Sequence, residues 1–326
     1  MKTTTSPSPK YEVHCLTEKE YDEWDAFVEG SPQGTIFCTT TWMKTFRIPF
    51  KIYAYYQGGN LVGGILVTEK EGTCISGGPN APLTPFQGVI VCDVPGMKYA
   101  NVIAFHSEVA TRLLETLEQT YKDIEITNHY SFVDIRPFIW AGYSQSIRYT
   151  YIVDLSNMDK LWGELEKDTR YEITKARKNE IIVKKQDDVT AFDKLYTLTF
   201  ERKGLKRPVS TEFIGRLYEA LKNKERAEIY LGEGKDGTPS AAVFVMWDTK
   251  RAYYIFGASN PEKIGDGASS LTLWTAFENL SPRFKEIDMV GANDYKIALF
   301  KRGFGGRLVP YFLVAKKITE DRQGRH

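Results

Sequence analysis

The sequence predicts an α/β (α+β) chain of two tandem lobes, each a mixed, mostly antiparallel sheet flanked by helices. Three observations predict it. The 326 residues are enough for two domains of roughly 150 residues, which puts the lobes at 1–150 and 151–326. Each half also runs from helix to meander. Finally, the hairpin at 52–67 and the strand pair at 229–245 share one pattern: a Tyr-bearing strand, a Gly-rich turn, then a strand entered by two small residues, Gly63-Gly64 and Ala241-Ala242. Matching order and matching hairpins together favour duplication over chance recurrence of turn residues.

In the first lobe, Thr17-Glu-Lys-Glu20 is a capping-box signature that opens an amphipathic helix through Trp24, Phe27 and Val28. Past 35–38 and a short segment around Trp42 and Phe46, two β-rich runs, 51–57 and 61–68, flank Gly-Gly-Asn and predict a hairpin. A further apolar segment leads to Gly77-Gly-Pro-Asn-Ala-Pro-Leu-Thr-Pro85, whose glycine and proline density forbids regular structure and suits a loop folded over a pocket. Val102, Phe105, Val109, Leu113 and Leu117 share one side of a helix predicted over 99–120. Strands over 123–127 and 146–154 carry the chain into the second lobe.

There, helices are predicted over 158–179, 189–202 and 210–223, the last two from Phe192/Leu195/Tyr196 and Phe213/Leu217/Leu221 at helical spacing. Runs at 227–232, 240–247 and 251–258, with turns at 234–237 and 248–250, make an antiparallel meander. A helix over 268–280, a strand over 286–290, a short helix over 294–302 and a final strand over 307–315 complete the lobe.

Composition narrows the function. Forty-three Lys and Arg against 42 Asp and Glu give a net charge of +1, so no global field draws the chain to nucleic acid or membrane, although a local basic patch stays open. With 42% hydrophobic, 13% aromatic and 26% charged residues, disorder and fibres are excluded. Cys15, Cys38, Cys74 and Cys92 lie far apart without a CxxC pair and are expected to be buried reduced thiols. His14, His106, His129 and His326 show no metal-ligand spacing, and no G-x-S-x-G elbow, phosphate loop or dinucleotide fingerprint occurs. No metal and no tightly bound cofactor is expected. The opening MKTTTSPSPK lacks the apolar core of a signal peptide, and no run approaches the roughly 18 apolar residues of a span. The expected compartment is the cytoplasm, with frayed polar ends at 1–10 and 320–326.

The strand-to-helix turn Ala258-Ser-Asn-Pro-Glu-Lys-Ile-Gly265-Asp-Gly267-Ala-Ser has the order in which an acyl-transfer fold places its phosphate-binding turn, with backbone N–H groups at the helix start facing an anion. Gly265 and Gly267 fit the cofactor-binding pattern, and Glu262 stands where a basic or amide residue is usual. Between Arg170 and Lys185, Arg170, Lys175, Arg177, Lys178, Lys184 and Lys185 outnumber Glu172 and Glu180 by four. That run is either the wet face of a helix or a phosphate-contacting face presenting Arg170 and Arg177, including to a tRNA acceptor stem.

Five segments in order carry a family likeness: Trp162…Arg170-Tyr-Glu-Ile-Thr-Lys175-Ala-Arg177-Lys178, Thr199-Phe-Glu-Arg202-Lys203, Arg251-Ala-Tyr-Tyr254-Ile-Phe-Gly-Ala-Ser259, Asp288-Met-Val-Gly291 and Phe300-Lys301-Arg-Gly-Phe304-Gly-Gly306. Across almost its whole length the chain resembles the FemAB/FemX family of aminoacyltransferases, whose members carry two lobes of the GNAT acetyltransferase fold. The resemblance implies transfer of an acyl or aminoacyl group to an amine. The implied donor is aminoacyl-tRNA, or acyl-CoA as in looser relatives, and the implied acceptor is a nucleotide-linked peptide or amino-sugar precursor of the cell wall (peptidoglycan) or surface glycan. The chain lacks the obvious long coiled-coil insertion of the cell-wall branch.

Residue by residue, the resemblance gives Lys44 of Trp42-Met-Lys44, and Arg202 at a helix end, as ligands of the acceptor's phosphates. Such cations clamp a diphosphate by charge-assisted bonds. It places Lys301 near the reacting carbonyl, where an ammonium would stabilise the developing oxyanion. Asp288, Asp294 or a water-linked Tyr254 would take the amine's proton; Asp288 could instead cap its loop, and Tyr254 could belong to the core. The second lobe is expected to hold the donor and the inter-lobe cleft the acceptor. Two further readings stay open: an acyl-CoA-dependent GNAT N-acyltransferase acting on an amino sugar or other small amine, and a non-catalytic GNAT-fold binding protein.

Overall fold

A computed structural model describes residues 11–81, 83–187 and 189–318; the predicted frayed ends lie outside the described residues. Contacts gather the chain into two compact units. One is the chain up to Ile147 together with the segment from Tyr311 onward, and the other is Arg148–Pro310.

The first unit begins with β1 (Tyr11–Cys15), a largely exposed strand whose mixed Tyr-Glu-Val-His-Cys pattern carries no alternation to announce it. The capping box forms: the Glu20 carboxylate accepts from the Thr17 backbone N–H at 2.7 Å and from its hydroxyl at 2.8 Å. It starts a single 3₁₀ turn that runs into α1 (Tyr21–Gly30), which buries Trp24 and Val28. In α2 (Thr40–Phe46) the Thr39 hydroxyl caps the Trp42 N–H, and the buried Trp42 indole donates to the Thr84 hydroxyl at 2.9 Å. The predicted hairpin is β2 (Phe50–Gln57) and β3 (Asn60–Lys70). Its turn residues Gly58 and Gly59 have φ of +58° and +82°, the left-handed pair a two-residue hairpin of this hand requires.

After β4 (Thr73–Ser76) come a Gly/Pro-rich loop, β5 (Val89–Val91), α3 (Tyr99–Thr120), β6 (Asp123–Thr127) and α4 (Arg136–Trp140). The strands run in the order β1-β2-β3-β4-β6, antiparallel as far as β4, and then the parallel pair β4/β6; β5 pairs with β3. The core forms between this sheet and α3, from Tyr53, Ile65 and Ile124 against Val109, Leu113 and Leu117.

The second unit takes in most of β7 (Ser144–Asp154), followed by α5 (Met158–Glu164) and α6 (Lys167–Lys178). The single helix predicted over 158–179 is therefore broken. Leu165 is extended (ψ 141°) and buried, and the Glu166 N–H donates to the Gly303 carbonyl instead of continuing a helix ladder; Gly163 weakens the turn before the break. Next come β8 (Ile182–Gln186), α7 (Val189–Arg202) and α8 (Thr211–Lys222), then the meander β9 (Ala227–Glu233), β10 (Pro239–Trp247) and β11 (Ala252–Ser259). The unit closes with α9 (Ala268–Leu280), β12 (Glu286–Asp288) and α10 (Tyr295–Arg302). Its strand order is β8-β9-β10-β11-β12-β7, antiparallel except for the parallel pair β11/β12. α9 is buried along most of its length, with Leu273 and Phe277 packed in one core with Val243, Val245 and Ile287. The last strand, β13 (Arg307–Lys317), pairs antiparallel with β6 of the first unit through Leu313–Lys317.

Both units thus carry one strand order: four antiparallel strands, a parallel partner reached by a crossover helix, and an antiparallel strand beyond it, which is β13, late in the chain, in the first unit and β7, ahead of the others, in the second. Two expectations are corrected. The cysteines are free thiols, and Cys38 and Cys74 are buried, but Cys15 is exposed on β1 and Cys92 half-buried. The basic run at 170–185 is not one face: Lys184 and Lys185 lie on β8 and pair with Glu233 and Glu228.

Candidate active site in the second unit

β11 and β12 are hydrogen-bonded neighbours over only two residue pairs, Ala252–Ile287 and Tyr253–Asp288, and then part. Two local distortions drive the parting. In β11 the register against β10 steps from Phe244–Phe256 to Val245–Tyr254, so Ile255 is an extra residue and the strand bends there. In β12 the strand stops at Asp288 because Val290 and Gly291 have φ of +49° and +71°. Met289 and Ala292 still donate to the Tyr151 and Tyr149 carbonyls of β7, so Val290 and Gly291 loop out between them. A β-branched residue in the left-handed region costs about 1–3 kcal/mol and persists only when its surroundings hold it.

Asp288 and Lys301 hold it. The Asp288 carboxylate accepts from the Val290 N–H at 2.8 Å and from the Thr150 hydroxyl at 2.5 Å. The Lys301 ammonium donates to the Val290 carbonyl and, at 2.8 Å, to the Gly291 carbonyl. An ammonium has three donors; the third has no protein oxygen or nitrogen acceptor among the described residues, and the Tyr254 ring lies 5.5 Å from the nitrogen. Both ionisable groups are out of water, Asp288 at 0% and Lys301 at 7% exposure. Burial pushes the Asp288 carboxyl up to about 6, against the pull of Thr150, Val290, Arg251 and Lys301. Burial lowers the Lys301 ammonium to about 8, and Asp288 opposes the shift. At pH 7 both are charged, Lys301 by about ten to one. Burial raises the half-buried Tyr254 phenol well above its ordinary range, so it is a neutral hydroxyl. Its oxygen lies over Gly257, where a Cβ would come within 2.0 Å of it.

The equivalent place in the first unit is filled. There the parallel pair β4/β6 runs from Thr73–Asp123 to Ser76–Ile126, and the chain returns so that Gln87 bridges Asn128 and donates from its N–H to the Thr127 carbonyl at 3.0 Å. In the second unit no such bridge follows the Tyr253–Asp288 pair among the described residues.

The structure brings Lys301, Asp288 and Tyr254 together and places the other predicted residues elsewhere. Arg170 lies on α6 with Nη1 on the Gly163 and Leu165 carbonyls at 2.9 and 2.8 Å, where a cation suits the C-terminal end of α5. Arg177 pairs with Glu278 at 3.2 Å and lies over the Trp162 ring. Arg202 is exposed at the last position of α7. Lys44, in the first unit, is exposed on α2 with its ammonium 5.3 Å from the Tyr21 ring centre. Asp294 caps α10 through the Lys296 and Ile297 N–H groups.

Gly265 and Gly267 both have positive φ, +85° and +83°, and Gly267 is the residue before α9. A Cβ on Gly267 would lie 2.2 Å from the Glu172 carbonyl oxygen, so the glycine lets α6 and the α9 entrance close on one another. The turn is not bare: the Asp266 carboxylate accepts from the Ala268 N–H at 2.8 Å, and the Lys175 ammonium donates to the Gly265 carbonyl at 2.5 Å. A carboxylate thus occupies part of the helix entrance where an anion would otherwise sit. No group of His, Cys, Asp and Glu suited to a metal ion occurs among the described residues, and no helix among them is long and apolar enough to cross a membrane.

Residues 164–297 match the family model for an acetyltransferase (GNAT) domain. Comparison with solved structures aligns FemX over 92% of this chain and 96% of its own, at a TM-score of 0.68 and 16% identity. The chain has the FemX-like GNAT fold. A tandem GNAT protein from the clavulanic acid biosynthesis pathway aligns over 95% of this chain and all of its own (TM-score 0.55, 13% identity). L-PGS from Bacillus licheniformis aligns over 92% and 93% (TM-score 0.56, 10% identity). No curated protein matches. The FemX-like fold agrees with the predicted tandem lobes of mixed, mostly antiparallel sheet, and the GNAT-domain match covers the strands that part and the start of α10. Sequence reasoning missed Thr150, which binds Asp288 from 138 positions away, and the Val290–Gly291 loop. The only signal for the loop is a glycine just after a short strand.

Proposed function

We propose that the chain is an N-acyltransferase that moves an acyl or aminoacyl group from an activated ester or thioester onto an amine by direct attack, where β11 and β12 part. The observation that carries this reading is the Lys301 ammonium, buried beside the divergence, fixed through two N–H groups and keeping a third. As the amine nitrogen bonds to the carbonyl carbon, the C=O electron pair moves onto oxygen, and the third N–H of Lys301 supports that charge in a site with little water. When the C=O re-forms, the bond from carbon to the carrier oxygen or sulfur breaks. The nitrogen's proton passes to the Tyr254 hydroxyl as that hydroxyl gives its own to the leaving atom, a relay that never requires a phenolate. Asp288 is a positioning residue, holding the Val290 N–H and the Lys301 charge. Rate comes from positioning and electrostatics, without a covalent enzyme intermediate.

The Asp266 carboxylate and Glu262 at the α9 entrance favour a donor whose phosphates bind elsewhere, and aminoacyl-tRNA is such a donor. Arg170, through Nε and Nη2, and Arg177 are the cations proposed to meet its phosphates. Lys44 and Arg202 are proposed to meet those of a nucleotide-linked cell-wall or surface-glycan acceptor, with the reaction in the cytoplasm. A second reading, acyl-CoA as donor to an amino sugar or other small amine, is favoured by Gly265 and Gly267 and by the remaining free N–H groups of the α9 first turn. Purified protein with labelled aminoacyl-tRNA and acyl-CoA panels and amine acceptors tests both. Transfer to an amine supports the proposal, and the active panel names the donor. Silence across both panels overturns it in favour of a non-catalytic binding protein.

A further inference from the structure

We propose that the first unit carries a small-molecule site of its own, which takes a fragment-sized, uncharged ligand with a short apolar body and a carbonyl oxygen. The site is a cavity of about 270 Å³ between the segment after α1, the segment after β5, the first two turns of α3 and the residues after β6, just under the usual range of small-ligand pockets. Its walls are mostly apolar, with Val94, Met97, Val102 and Ile103 among them.

The second observation is polar. Gln33 lines the cavity and is 1% exposed. Its Oε1 accepts from the Val91 N–H at 3.0 Å, which fixes the amide plane. Its NH₂ has no protein acceptor among the described residues. A buried amide donor left unpaired costs free energy that an acceptor from a ligand would recover.

His106, also in the lining, is half-buried with its ring stacked on Phe132 (centroids 5.7 Å apart, planes 14° apart). Neither ring nitrogen has a protein hydrogen-bond partner among the described residues. Burial keeps its imidazole below the ordinary value of 6.5, so at neutral pH it offers one donor and one acceptor rather than a charge. Asp93 is the only charged side chain in the lining. A cavity with one carboxylate and no cation disfavours an anion, so the ligand's oxygen belongs to an amide, ketone or ester rather than a carboxylate.

Met97 lets the site be read directly. With the methionine methyl groups of the full chain ¹³C-labelled, hexanamide is expected to shift the Met97 methyl saturably while leaving Met246 and Met289, in the other unit's strands and loop, in place. Hexanoate, the same chain with a carboxylate, is expected to bind at least about tenfold more weakly. Gln33→Glu keeps an acceptor for Val91 but replaces the donor, and should weaken hexanamide by about tenfold. Val102→Trp fills the cavity from the half-buried face of α3 and should abolish the shift. The proposal is overturned if hexanamide leaves Met97 unmoved, if the shift survives Val102→Trp, or if hexanoate binds as well as hexanamide.

Discussion

Replacing Asp288 by Asn tests whether the carboxyl beneath the Val290–Gly291 loop is buried and ionised. The amide keeps an acceptor for the Val290 N–H and the Thr150 hydroxyl and removes the charge. In the folded protein the carboxyl is raised from an ordinary value near 3.8 to about 6, so between those values the folded state holds a proton that the unfolded chain has lost. Stability therefore falls as pH rises through this window and is level above it. At 1.36 kcal/mol per pKa unit the full loss through this group is about 3 kcal/mol, of which about 2.4 kcal/mol falls between pH 4 and pH 7. The Asn variant has no such loss, and the other carboxylates cancel in the comparison. Urea unfolding at half-unit pH steps should show the stability difference between variant and wild type moving in the variant's favour by about 2.4 kcal/mol across that range. A difference that stays flat with pH would refute the reasoning, since it would place the Asp288 carboxyl at its ordinary value.

Three further outcomes are expected. Because burial puts the Lys301 ammonium at about 8, the transfer rate should fall as pH rises through that value, and Lys301→Arg should remove this alkaline limb. Gly267→Ala should cost at least about 2 kcal/mol by chemical denaturation, since the residue has φ +83° and the new Cβ would meet the Glu172 carbonyl at 2.2 Å. Val290→Asn should gain about 1 kcal/mol in the same measurement, because Asn enters the left-handed region more cheaply than a β-branched residue.

The sequence carried the long regular elements well. α3 spans Tyr99–Thr120 as its apolar spacing predicts, because a helix of six turns repeats its period enough times to be unambiguous. β5, of three residues, and the largely exposed β1 had too little pattern to read. The break between α5 and α6 escaped because Leu165 fits a helical apolar stripe equally well; its extended conformation comes from the tertiary bond between Glu166 and Gly303. At the site, Lys301, Asp288 and Tyr254 were reachable through the family likeness. Their arrangement was not, since it depends on Thr150 from β7 and on carbonyls that face Lys301 only after the chain turns left-handed at Val290. The lone NH₂ of Gln33 has no sequence signature at all, because only its burial makes it unusual.

The proposed reaction rests on the third N–H of Lys301, and Lys301→Met reaches it most directly. In single-turnover transfer from aminoacyl-tRNA to an amine acceptor at saturating concentrations of both, the variant should react about 10²–10³-fold more slowly, the usual loss when one oxyanion donor is removed. A variant that folds and transfers at the wild-type rate would contradict the account.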